Sequence, residues 1–118
     1  MGEDWLLDVV DAVDRAGRNA CDQLGLALGE LERLRAGRVR GTPLAELVTD
    51  TIRGGGRGVR VQAAEAFTEY EQAVAVMRGA IVCSLVDDSG LTFSEVAMRF
   101  GISRQAAARL YKSAKNLG

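Results

Sequence analysis

Between Ser103 and Lys115 the chain gathers side chains suited to a polyanion that also presents base edges. Arg104 and Arg109 carry guanidinium forks that pair bidentately with guanine, and Gln105 pairs in the same way with adenine. Ser103, Lys112 and Lys115 suit phosphate oxygens, and Ala108 or Arg109 joins Arg104 and Gln105 at base edges. At about 100° per residue, Arg104, Gln105, Ala108, Arg109 and Lys112 share one outward helical face, with Ser103 at its start. The chemistry this arrangement offers is duplex binding. Phosphate neutralisation supplies affinity with a steep salt dependence, and base-edge contacts supply preference.

Local signals specify the elements that must hold this face. Thr92 and Glu95 form a Thr-x-x-Glu capping box, which predicts a helix starting at Phe93. Gly101 ends it by taking the positive φ that a tight turn requires. Ser103 then caps a second helix, Arg104 to about Lys115, by accepting from a free N–H of its first turn. Val96, Phe100, Ile102, Ala107 and Leu110 are spaced to meet between the two helices, with Ala97 at their close approach. The segment Phe100-Gly-Ile-Ser-Arg-Gln-Ala106 resembles the turn and recognition-helix start of bacterial helix-turn-helix transcription regulators, including domains similar to sigma-factor region 4. The resemblance covers residues 91–115 and implies that helix 104–115 lies in the major groove. The competing reading of the same residues is an αα-hairpin used only for packing.

The composition fits an all-α chain. Among 118 residues there is a single proline, 47 % are hydrophobic and only 5 % aromatic, so the core must be aliphatic and closely packed. No apolar run approaches the ~20 residues of a membrane span. The acidic start Met-Gly-Glu-Asp-Trp5 lacks the basic opening of a signal peptide, which predicts a cytoplasmic, nucleoid-associated protein. The net charge of −1 conceals a polarity. Glu3, Asp4, Asp8, Asp11 and Asp14 precede any cation, whereas Arg99, Arg104, Arg109, Lys112 and Lys115 face Glu95 alone after residue 90. Charges beyond ~10 Å are largely screened, so the basic C-terminal end is the part that attracts phosphate.

Upstream, Leu6, Val10, Val13, Gly17, Ala20, Leu24, Ala27, Leu31 and Leu34 alternate by four and three, predicting a long helix over 4–36 with one apolar seam. Thr42 and Pro43 open a short helix with Leu44, Leu47, Val48 and Ile52 on its apolar face, ending near Arg53. Gly54–Gly58 reads as a linker outside regular structure. Alternatively, Arg53, Arg57 and Arg60 make it a basic loop that, with Thr92, adds accessory phosphate contacts. A second long helix is expected from Val61 to Asp87, its last turns covering the helix-turn-helix through Val82, Leu85 and Val86. The expected architecture is therefore a helical hairpin and dimerisation region over 1–60, then residues 61–118 leading into a tri-helical helix-turn-helix unit at 91–115.

These readings predict a sequence-specific transcriptional regulator whose partners are double-stranded DNA and a second copy paired through the seam, with recognition helices about 34 Å apart. The alternative function is a protein-interaction module docking on RNA polymerase or another regulator. An enzyme is not expected. The chain has no histidine, and no Ser or Cys stands beside a plausible base, so neither a metal nor another cofactor is predicted. The distant Cys21 and Cys83 read as small buried hydrophobes.

Overall fold

A computed structural model describes residues 3–117, with side chains from 5 to 116. Met1 and Gly2 of the acidic start lie outside the described residues. The described chain is helical with no strand: α1 (Glu3–Val39), α2 (Leu44–Arg53), α3 (Gly56–Asp87), α4 (Phe93–Phe100) and α5 (Arg104–Leu117). None of these helices is long and apolar enough to cross a membrane. Packing divides the chain into two units, residues 3–14 with 71–117, and Arg15–Tyr70. Helices α1 and α3 contribute to both.

In the Arg15–Tyr70 unit, small residues let helices approach. A Cβ on Gly17 would come within 3.3 Å of the Tyr70 ring on α3. On Gly37 it would run into the Leu47 side chain of α2, itself buried. Of the apolar seam of α1, Ala20 is buried, while Leu24 and Leu31 remain exposed. Helix α1 runs to Val39, three residues past the expected end at 36, and the chain reverses at Gly41 with φ +87°.

The structure differs from expectation at three local points. Thr42 does not cap α2. Pro43 holds the cap position with ψ 141°, and no side chain closes the turn. The glycine run is not wholly a linker. Gly55, at φ +82°, makes the turn, but Gly56, Arg57 and Gly58 already belong to α3. The reason is packing: Gly56 is buried, and a Cβ there would come 2.6 Å from Thr51 Cγ2. Close approach to α2 thus offsets the poor helix propensity of glycine. Lastly, Cys21 is exposed whereas Cys83 is buried, and both are free thiols. Cys21 follows the buried Ala20 and so turns about 100° away from that contact.

In the other unit, Val82 of α3, Val96 and Ala97 of α4 and Ala107 of α5 form one buried cluster. Leu85, Val86, Leu91, Phe93, Phe100, Ile102, Leu110 and Tyr111 pack around it. No polar or charged side chain among the described residues is buried. Gly79 brings α3 against α5, where a Cβ would lie 3.2 Å from both the Ala114 Cβ and the Leu110 carbonyl oxygen.

Candidate nucleic-acid interface

Two helix starts and one turn fix the direction of α5. The Thr92 hydroxyl accepts from the Glu95 N–H at 3.2 Å, and the Thr92 N–H donates to Glu95 Oε1 at 3.1 Å, closing the capping box. The Thr92 backbone N–H and then its hydroxyl, both donating to the carboxylate, hold the Glu95 carboxyl below its ordinary range. Gly101 adopts φ +67°, ψ 33°, the left-handed conformation that closes α4. Two residues later Ser103 Oγ accepts from the Ala106 N–H at 3.0 Å and opens α5. Thr92→Ala and Ser103→Ala should each lower stability by about 1 kcal/mol, read as a shift in thermal midpoint. An unchanged midpoint in both would show that these caps do not hold the turn.

Ser103, Arg104, Gln105, Arg109 and Lys112 are all exposed, and Ala108 is half-buried at the edge of the same face. The side chains of Arg104, Gln105, Arg109 and Lys112 make no hydrogen bond or ion pair among the described residues. Asn116, not singled out from the sequence, is also exposed. It falls within the same arc of roughly 140° on α5, counted at about 100° per residue. Its position one turn beyond Lys112 was the available signal.

Lys115 is differently placed. Its ammonium pairs with Asp87 at the end of α3 and stands 5.4 Å from the centroid of the Tyr111 ring. Tyr111 donates its hydroxyl to Asp87 Oδ1 at 2.8 Å and meets Phe93 edge-on, ring centroids 5.4 Å apart. Lys115 thus belongs to a latch joining α5 to α3. Asp87 and Tyr111 are the residues that sequence reasoning missed. Of the accessory candidates, Thr92 has its hydroxyl engaged in the capping box. Arg53, Arg57 and Arg60 are exposed and belong to the Arg15–Tyr70 unit.

The latch is an electrostatic device with a definite pH window. Lys115 first, and Tyr111 second, hold the Asp87 carboxyl below its ordinary value. In turn, Asp87 raises the values of Lys115 and Tyr111. A lowered carboxylate stabilises the fold above its unfolded value of about 3.9, and that contribution is lost as pH falls through the folded value. The raised Lys115 and Tyr111 contribute below about pH 10, and their share is lost as pH rises through their folded values. The latch is therefore closed across neutral pH. Asp87→Asn should flatten the acid limb of the stability profile measured by denaturant melts. An acid limb identical to that of the parent would exclude the latch. Behind it, Cys83 donates its thiol to the Tyr111 carbonyl at 3.5 Å, and burial pushes its value up, so it is a poor nucleophile. No three potential metal ligands converge among the described residues.

No protein-family model, curated protein or solved structure matches this chain.

Proposed function

We propose that the chain binds duplex DNA as a transcriptional regulator, with α4 and α5 as a helix-turn-helix braced by the last turns of α3, and α5 lying in the major groove. The observation that carries this reading is the exposed, unpaired set Arg104, Gln105, Arg109 and Lys112 on a helix whose opposite face is fixed in a core. Phosphates attract Arg109 and Lys112, while Arg104 and Gln105 reach base edges, each good bidentate pair discriminating by about 1–3 kcal/mol. The first N–H groups of α5, next to Arg104 in the chain, suit an anion such as phosphate. Lys115, tied to Asp87, serves orientation more than contact. The same reading places the protein with the nucleoid.

Met98 supports a second reading. It is 85 % exposed on α4, an unusual position for a large apolar side chain, and suits docking on a protein such as RNA polymerase or another regulator. Selection from random duplex DNA separates the two. The DNA reading expects an enriched motif that Arg104→Ala degrades at one position, whereas Met98→Ser leaves it intact. Enrichment of no sequence would favour the docking module.

A further inference from the structure

The Arg15–Tyr70 unit carries an apolar surface that its own helices leave uncovered. Leu47 packs against Gly37 of α1 and Thr51 against Gly56 of α3, but Leu44, Val48 and Ile52, spaced by four along α2, are 59, 46 and 65 % exposed. Beside this stripe lie two clefts of about 340 and 370 Å³ that share Leu31 and Leu34 of α1. Val48 and Ile52 line the first and Leu44 and Val39 the second, so stripe and clefts form one ridged surface. Leu31 (57 % exposed) stands between the clefts. From transfer energies of aliphatic side chains, this set leaves roughly 300 Å² of apolar surface, the size of the largest patch on a typical monomer, which is often functional.

We infer that this surface pairs with the same surface of a second copy, the α2 stripe of each seated in the α1–α2 cleft of the other. Two features favour a second copy over another occupant. A two-fold interface requires ridge and groove on one patch, and both are present here. The area also fits. At about 60 % apolar, it forms the centre of an interface burying roughly 1,000 Å² in total, the lower bound for a specific and therefore weak pair. This assignment keeps Leu31 and Leu34 of the seam first expected but not its Gly17 and Ala20, which are already packed inside the chain. It does not depend on the DNA reading.

Sedimentation of the full chain over a concentration series tests it. The parent should associate reversibly with a micromolar dissociation constant. Val48→Asp with Ile52→Asp should weaken association by roughly 100-fold or more, as expected for charges placed at the centre of an interface. Both side chains are exposed, so helicity by circular dichroism should hold, and Val48→Leu with Ile52→Leu should still pair. A parent that stays monomeric overturns the proposal, as does a dimer indifferent to the aspartates. A monomer that retains a small molecule in native mass spectrometry overturns it too, assigning the cleft to that ligand. Binding to a single DNA half-site should be unchanged in the aspartate pair, so failure of either reading is seen separately.

Discussion

Replacing Arg104, Arg109 and Lys112 together by alanine is expected to remove most duplex binding, lowering affinity by roughly 100-fold or more at moderate salt. All three are exposed and make no ion pair among the described residues, so the fold has no use for their charge. If Arg109 and Lys112 each neutralise one phosphate, the slope of log affinity against log salt should flatten by about 0.9 for each of the two removed. The single variants separate the roles. Lys112→Ala should weaken all sequences alike, while Arg104→Ala should cost about 1–3 kcal/mol on the preferred site and less elsewhere. Thermal stability should not fall, because surface changes of this kind are usually within about 0.5 kcal/mol. A triple variant that binds as tightly as the parent would refute the assignment of this face.

The second large effect lies beneath that face. Val96 is fully buried between Val82 and Ala107, and the core around it holds no polar side chain among the described residues. Val96→Asp places a carboxyl where no donor can meet it, a cost of several kcal/mol against a typical total of about 5–15 kcal/mol. We expect a thermal midpoint at least about 10 °C lower, or loss of the transition altogether, with DNA binding lost alongside. Val96→Ala removes two methyl groups and should cost about 2 kcal/mol, leaving a folded protein that still binds. Parent-like melting of Val96→Asp would mean that α4 is not held against α3 and α5 as described.

What could be read from residues alone, and what could not, follows from the range of the forces. The C-terminal third was readable because its signals are local. The Thr92–Glu95 box, the left-handed Gly101 and the Ser103 cap each act within a few residues, and the structure contains all three. The Asp87 latch was not readable. Its hydroxyl contact joins residues 24 apart and depends on where α3 ends relative to α5. Lys115 therefore passed as one more free cation. Gly56–Gly58 has the composition of a linker, and its helical conformation depends on the approach of α2, which only the folded unit supplies. Cys21 shows the same lesson in miniature, since proximity to an apolar stripe leaves a residue exposed when it lies about 100° around the helix. The surface of α2 was visible as an amphipathic pattern, but only packing revealed that one edge of it is used and the other left open.

The most direct measurement is the equilibrium binding of the unaltered chain to a labelled duplex across a salt series. The account predicts tight binding at low salt, with log affinity falling linearly against log salt at a slope that implies several neutralised phosphates. Absence of binding at the lowest salt, or an affinity indifferent to salt, would contradict it.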